Sequence, residues 1–252
     1  MNFKHVIIGT LVAVSLAVGS SARAQSAGAP ESRWSGEFAI GFDNSISGNI
    51  NSSAIGEINK QTVVITKNTY EEVYGTGLNL RFGGGYMLDK ANELRATFTF
   101  QSLDADLTPM GEVGASRLYG QYTDYQTFSL DVGFRRYGDL SPKVRAYGEA
   151  AIGLGFVDKT DVTLVAPGAN LSGKANDFYD QTAALTLGVH GGLLITVRPK
   201  VGAFVQTGFR WVSGMAAVDD LAGTGLETIN DKSGRWTLPF QSYQPALRLH
   251  VR

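Results

Sequence analysis

The feature that most constrains this sequence is a pair of alternating runs between Thr127 and Phe156, separated by the segment G-D-L-S-P-K. Apolar residues take every second position of the first run, at Phe128, Leu130, Val132 and Phe134. The second run keeps this spacing with Ala146, Ala150, Ile152, Leu154 and Phe156. Alternation with a period of two predicts β-strands, and the turn-forming residues between the runs predict a hairpin. Its apolar face packs either against a protein core or against lipid.

The N-terminus has the three parts of a secretory signal peptide. Lys4 and His5 precede an apolar run, and small residues follow up to Ala22-Arg23-Ala24. This pattern predicts Sec-type export with cleavage after Ala24, so residues 1–24 are expected to form the signal peptide and residues 25–33 a flexible lead-in. The sequence contains no cysteine, so disulfide bonds do not hold the exported fold together.

The remainder of the chain, residues 34–252, contains eight predicted strands. Besides the hairpin, alternating patterns cover residues 34–42, 77–88, 93–103, 182–197, 201–211 and 235–252. Three short turns alternate with four long loops at residues 43–76, 104–124, 158–180 and 213–234. An even number of strands with this segregation of loop lengths predicts an all-β fold. We expect an eight-stranded antiparallel up-and-down transmembrane β-barrel with short periplasmic turns and long extracellular loops.

The strand ends and the long loops carry two further signals. Aromatic residues near the strand ends predict two interfacial girdles, formed by Trp34 and Tyr137 on the turn side and by Phe42, Tyr125, Phe156, Tyr179, Trp211 and Trp236 on the loop side. The loop segments 44–59 and 166–177 are rich in small and polar residues, which predicts exposure to water.

With this architecture, the chain from Trp34 to Arg252 resembles the small eight-stranded outer-membrane barrels of the OmpA/OmpX/opacity-protein superfamily. The resemblance rests on strand number and periodicity, without a diagnostic short motif. It implies a Gram-negative outer membrane, contact with its lipid and lipopolysaccharide, insertion by the barrel-assembly machinery, and loops that face outwards and offer a possible site for an external ligand.

Charged residues on the other strand face are predicted to fill the barrel interior. They are Glu37, Arg81, Arg95, Asp131, Arg135, Arg145, Glu149, Arg210 and Arg248. An eight-stranded barrel is just wide enough for side chains to fill, and buried charges must pair, so we expect a salt-bridge network. Bases outnumber acids in this set, so some arginines near the ends should reach water or loop carboxylates. A charged gate or a narrow anion-preferring pore is the functional alternative.

The sequence offers little for catalysis, metal binding or a cofactor. His190 is the only histidine in the middle of a predicted strand, and it is followed by two glycines rather than by a candidate nucleophile. Asp104 and Asp106 lie together in a loop, where a weak calcium site or solvated charge is possible. We therefore predict no catalytic, metal-binding or cofactor-binding residues.

The predicted function is a structural or surface-interaction role in the cell envelope, such as envelope integrity or adhesion, carried by the external loops. The near-neutral net charge does not indicate a nucleic-acid partner. Three alternatives remain at this point: a narrow channel or hydrophobic-ligand pore, a lipid-modifying outer-membrane enzyme, and a soluble exported carrier similar to a lipocalin.

Overall fold

The structure of the protein is a computed structural model. It describes residues 33–198, 201–217, 225–226, 229–230, 234–244 and 246–247. The predicted signal peptide and most of the predicted lead-in lie outside these residues. No helix within them has the length and hydropathy needed to cross a membrane.

Eight long strands pair around a closed ring, each antiparallel to both neighbours. The ring order is β14-β11-β10-β7-β6-β1-β17-β15, and β15 pairs with β14 to close it. The strands are β1 (Trp34–Ser47), β6 (Gly77–Met87), β7 (Asn92–Leu103), β10 (Tyr125–Ser141), β11 (Val144–Val157), β14 (Thr182–Arg198), β15 (Val201–Val212) and β17 (Arg235–Gln244). A short strand, β18 (Ala246–Leu247), pairs with the beginning of β15. The predicted eight-stranded up-and-down barrel is confirmed.

The register of the barrel strands places large apolar side chains on the outer surface. Phe38, Phe82, Phe98 and Leu130 lie side by side across four neighbouring strands, and Phe82 and Leu130 are 50% and 60% exposed. Between these positions, most described strand residues that point inward are polar or small, and Leu194 and Phe204 are buried apolar exceptions near the turn end. The exterior is therefore apolar and the interior polar, which is the arrangement of a barrel that lies in lipid.

The four long loops fold into a second structure at their end of the barrel, which we call the cap. Its main sheet has the order β16-β13-β12-β9-β8-β4-β3. These strands are β3 (Ala54–Ile58), β4 (Gln61–Ile65), β8 (Thr108–Val113), β9 (Ser116–Tyr122), β12 (Thr160–Ala166), β13 (Leu171–Asp180) and β16 (Ala216–Ala217). The order of the strands follows the order of the loops around the rim, so the sheet continues the barrel wall.

The first loop adds a small structure of its own to the cap. Strands β2 (Asn49–Asn51) and β5 (Asn68–Thr69) pair, and the helical turn α1 (Tyr70–Val73) follows directly. A capping box begins this turn: Thr69 accepts from the Glu72 backbone, and the Glu72 carboxylate accepts from the Thr69 backbone. Tyr70 and Val73 of the turn are fully buried, so α1 holds the first loop against the rest of the cap.

A large apolar core lies beneath the cap sheet. Ile50, Ile65, Leu118, Tyr122 and Phe178 are each at most 2% exposed. Side chains from all four loops contribute to this one cluster. The prediction that segments 44–59 and 166–177 are exposed to water was therefore wrong for their inward residues, such as Ile50 and Leu171. The alternating apolar residues in the loops, such as Val63 and Ile65, are the strand signal of this second sheet.

The aromatic girdles agree only in part with their prediction. Trp34, Phe42 and Phe156 are exposed on the outer surface, each by more than half. By contrast, Tyr137 points into the barrel, and Tyr125 and Tyr179 are buried in the cap core. These three tyrosines were assigned wrongly because strand-end position alone does not fix which face a side chain takes. The structure does not describe the side chain of Trp236.

Candidate functional site in the barrel interior

Two glutamates and three arginines form the centre of the barrel interior. Glu149 accepts from Arg135, whose Nε and Nη2 lie 2.7 and 2.6 Å from Oε2. Arg81 also binds Glu149, and Arg95 Nε lies 3.3 Å away. Glu37 pairs with Arg95 and, at 3.0 Å, with Arg135 Nη1. All five side chains are at most 4% exposed, so each charge is neutralised by its neighbours rather than by water.

A third carboxylate, Glu93, lies on the turn side of this centre. It accepts from Arg95 Nη1 at 3.2 Å, from the Tyr137 hydroxyl at 2.6 Å and from the Ser35 hydroxyl. The alternation rule could have found it, because Glu93 has the same parity on its strand as Arg95. It is the first residue of the predicted strand 93–103, and it was left out of the predicted interior set although its parity places it inward.

Tyrosine rings and an amide complete the packing around Arg135. The guanidinium lies 4.1 Å from the centre of the Tyr147 ring. The Tyr147 hydroxyl donates to Gln206 Oε1 at 2.9 Å, and that oxygen is also 3.4 Å from Arg135. The rings therefore hold the guanidinium in place while filling the interior, as a cation–π contact allows.

Two smaller polar groups lie nearer the cap. In the first, Asp131 accepts from Ser129 at 2.9 Å and from Thr186, while Arg210 donates to Ser129 at 2.6 Å. Arg210 is also 3.8 Å from Asp131. Both charged groups thus share the Ser129 hydroxyl.

The second group lies at the boundary with the cap core. Gln101 donates to Asp43 and accepts from Arg235 at 3.2 Å. Arg235 also donates to Ser45 at 3.0 Å and lies 4.5 Å from the centre of the Tyr125 ring. Arg235 is 1% exposed, so it closes the polar interior at the level where the apolar cap core begins.

Among the described interior residues, the buried charges balance. The acids are Glu37, Asp43, Glu93, Asp131 and Glu149, and the bases are Arg81, Arg95, Arg135, Arg210 and Arg235. The predicted set had three acids and six bases. The described set is balanced because Glu93 and Asp43 add two carboxylates and Arg235 adds one guanidinium, while Arg145 lies at the turn end and Arg248 is outside the described residues. Asp43 was predicted to begin the first loop, but β1 continues through it. Arg235 was predicted to begin the eighth strand, and it was left out of the predicted interior set.

Two predicted interior residues, Arg145 and Arg248, remain. Arg145 is at the turn end, where its Nε donates to Asp139 at 2.7 Å and its Nη2 to the Lys90 carbonyl at 2.6 Å. Asp139 is 73% exposed, so this pair is at the surface. Arg248 lies outside the described residues.

A cavity of about 20 Å³ is lined by Arg81, Asp131, His190 and Arg210 among others, and it is large enough for about one water molecule. His190 Nδ1 lies 4.0 Å from Glu149 and has no hydrogen-bond partner among the described residues. Within the same part of the chain, no cluster of three potential metal ligands is present.

The two ends of the barrel differ strongly in charge. The loop segments 48–76, 104–124, 158–181 and 213–234 together contain 15 acidic and 6 basic residues in the sequence, of which 11 acids and 5 bases belong to the part of the chain that the structure describes. The near-neutral total for the chain hides this difference, because most of the other bases lie in the interior or at the turn end. The cap is therefore an acidic surface.

Comparisons with known proteins give structural neighbours only. No family model and no curated protein matches the chain. It is similar to the solved structure of Neisserial surface protein A, with 13% identity, a TM-score of 0.41, and coverage of 84% of this chain and 97% of that one. It is also similar to Ail of Yersinia pestis, with 12% identity, a TM-score of 0.37, and coverage of 87% and 100%. A structure of Ail with the heparin analogue sucrose octasulfate gives 10% identity, a TM-score of 0.36, and coverage of 86% and 99%.

The architecture of this chain follows from its own strand pairing and from the chemistry of its two surfaces. A closed ring of eight antiparallel strands carries an apolar exterior and a packed, charged interior. The chain is an eight-stranded β-barrel of the outer-membrane type.

Proposed function

We propose that this protein is an outer-membrane barrel with a structural or surface-interaction role, in which a sealed interior anchors an acidic extracellular cap. The observation that carries the proposal is the filling of the interior at two levels. Ion pairs occupy the membrane-spanning part, and a large apolar core occupies the part beneath the cap sheet. A barrel filled in this way can hold the cap rigidly, and it offers no open path for a solute to cross the membrane.

A narrow channel is the first alternative, and its test is conductance in a planar bilayer. Ions need a continuous hydrated path, whereas the cavity beside His190 has a volume of about 20 Å³. We expect no unitary currents from folded protein under conditions in which a known porin conducts. Reproducible currents from the purified, folded barrel would contradict the sealed interior.

The soluble carrier and the lipid-modifying enzyme are less well supported by the geometry. A lipocalin-like carrier needs an apolar cavity and a polar exterior, but here the barrel has charges inside and phenylalanines outside. A serine hydrolase needs a hydroxyl bound to its histidine, and Nδ1 of His190 has no hydrogen-bond partner among the described residues. An unchanged mass of lipid A on expression is the result expected for a non-enzyme.

The surface role is assigned to the cap because it is folded and charged. With 15 acids and 6 bases, its segments favour basic partners and disfavour polyanions such as the sulfated sugar seen bound to Ail. Vesicles that carry the protein with the cap outward should be retained on a polylysine matrix and pass through a heparin matrix. A variant with Glu57→Gln and Glu112→Gln should bind polylysine less. Retention on heparin would contradict this assignment.

Export and assembly remain part of the proposal. Residues 1–24 are proposed as a Sec-type signal peptide, and mass spectrometry of the mature protein should give an N-terminus at Gln25. The exposed apolar side chains on the outside of the barrel strands, such as Phe82, Phe98 and Leu130, form what we call the apolar belt. This belt is proposed to contact outer-membrane lipid and lipopolysaccharide after insertion by the barrel-assembly machinery. Depletion of that machinery should lower the amount of folded protein in the membrane fraction.

A further inference from the structure

The turn end of the barrel carries a group of basic residues that take no part in the interior ion pairs or in the cap core. Six bases lie there among the described residues, and all but Arg145 are exposed: Arg33, Lys90, Arg136, Lys143, Arg145 and Arg198. The described acids at this end are Asp89 and Asp139. We call these six bases the turn-end basic ring.

The two acids at this end are engaged in local contacts. Asp89 accepts from the Ala91 backbone at 2.7 Å and from the Asn92 side chain at 2.7 Å, which closes the turn between β6 and β7. Asp139 accepts from Arg145 at 2.7 Å. Their charges therefore offset only part of the positive charge of the ring.

Arg136 shows where the ring lies relative to the apolar belt. It is exposed on β10 two residues after Phe134, which belongs to the outward face, and it is paired with Asn92 at the start of β7. Its guanidinium therefore extends from the outer surface at the edge of the belt. Long basic side chains at such an edge reach polar groups at the interface while their stems lie against apolar surface.

Apolar side chains are interspersed with the bases at the same end. Trp34, Leu88, Leu140 and Val197 are between 46% and 66% exposed. Trp34 packs edge-on against Tyr86, whose hydroxyl accepts from Arg33 at 3.1 Å. A surface that combines exposed apolar groups with an excess of bases matches the boundary between acyl chains and anionic headgroups.

From this charge complementarity we propose that the turn-end basic ring binds the phosphate headgroups of anionic glycerophospholipids in the membrane leaflet on that side. The inference rests on the proposed membrane placement and adds a lipid class to it. The acidic cap at the other end makes the molecule asymmetric, so anionic lipid should gather at the turn end alone.

Trp34 is a built-in probe for this proposal. A single-tryptophan protein, with Trp211→Phe and Trp236→Phe, is reconstituted in mixed phosphatidylcholine and phosphatidylglycerol vesicles. In one sample only the phosphatidylglycerol is brominated near the headgroup, and in the other an equal fraction of the phosphatidylcholine is brominated. We expect about twofold or greater preference for quenching by brominated phosphatidylglycerol, and a marked decrease of that preference at high salt because exposed charges are screened.

Matched variants locate the effect at the turn end. Arg33→Gln, Lys90→Gln and Arg136→Gln together should abolish the preference, whereas Lys60→Gln, Lys67→Gln and Lys174→Gln in the cap should leave it intact. Each variant is checked for heat-dependent gel mobility, so that only folded protein is compared. Equal quenching by both brominated lipids would overturn the headgroup preference and leave the membrane placement standing. Absence of quenching by either lipid would overturn both.

Discussion

Glu149 has a central position among the residues of the interior, because three guanidinium groups converge on one carboxylate. Arg81, Arg95 and Arg135 each contact it, and all three side chains are at most 4% exposed. Removing its charge would leave three buried cations with fewer partners. In a dry interior, an uncompensated charge costs far more than a surface pair contributes.

Glu149→Gln tests this arrangement with little change in shape. We expect the free energy of unfolding to fall by about 3–5 kcal/mol, because one partner of a buried ionic network is lost. Urea titration of the folded barrel in detergent or lipid measures the change. Glu57→Gln, at an exposed position in the cap, is the control and should change stability by less than about 0.5 kcal/mol. Equal effects of the two substitutions would contradict the inward position of Glu149.

At the scale of elements, the cap is the part of the fold that the sequence predicted least well. In the loops, the alternation of apolar and polar residues is weak. The glycines and asparagines between the short alternating segments predict irregular structure there. Three hairpins pair within their own loops, β3 with β4, β8 with β9 and β12 with β13. Pairings between neighbouring loops then join these hairpins into one sheet, β4 with β8, β9 with β12 and β13 with β16. The pairings between loops form because the barrel holds the ends of neighbouring loops close together. Local sequence patterns therefore do not predict them.

The β3–β4 hairpin has one isoleucine in the cap core and another on the cap surface, so the two can be compared. Ile65 is 1% exposed and Ile55 is 68% exposed. Ile65→Ala should destabilise the cap by about 2–5 kcal/mol through lost burial and a cavity, whereas Ile55→Ala should be nearly neutral. Limited proteolysis of the loops measures cap opening, and heat-dependent gel mobility shows whether the barrel stays intact. Similar cleavage rates for both variants would contradict a packed core beneath the sheet.

Buried tyrosines should make the cap sensitive to alkaline pH. Burial raises the pKa of Tyr70, Tyr74 and Tyr122 above the ordinary value, since the phenolate form loses its hydration. Below the ordinary pKa of about 10, both the folded and the unfolded cap hold these protons and stability is unaffected. Above it, the unfolded chain releases protons that the folded cap retains, so stability falls as pH rises.

We therefore expect proteolysis of the cap, normalised to a control substrate, to increase above about pH 10. Tyr70→Phe, which removes one of these ionisable groups, should move the onset to higher pH. A cap that resists cleavage equally at neutral and strongly alkaline pH would argue against buried phenols.

At the scale of the whole molecule, the barrel itself could be predicted from the sequence because its signal is repeated. The strands have a fixed period, and lipid on one side with charge on the other makes each register error costly. The sequence did not predict which interior charges pair with each other. Parity alone selects Glu37, Arg81, Arg95, Arg135 and Glu149, but only the closed ring brings these five strands' side chains into one cluster.

The apolar belt and the cap surface give a matched test of the membrane placement. Leu187 is 42% exposed on a barrel strand, and Leu107 is 58% exposed in the second loop. Leu187→Arg should reduce stability in a bilayer by about 2–4 kcal/mol if the residue lies near the midplane, whereas Leu107→Arg should be tolerated. Unfolding titrations in lipid vesicles measure both. A tolerated arginine at position 187 would mean that this face does not contact lipid.

The most direct test of the central claim is the gel mobility of the mature protein from fractionated cells, with and without heating. A lipid-embedded closed barrel should be found in the outer-membrane fraction, and its band should shift when heat unfolds the compact form. Protein in the soluble periplasmic fraction with the same mobility before and after heating would contradict the account. The exposed leucines and phenylalanines of the barrel would then require a protein partner instead of lipid.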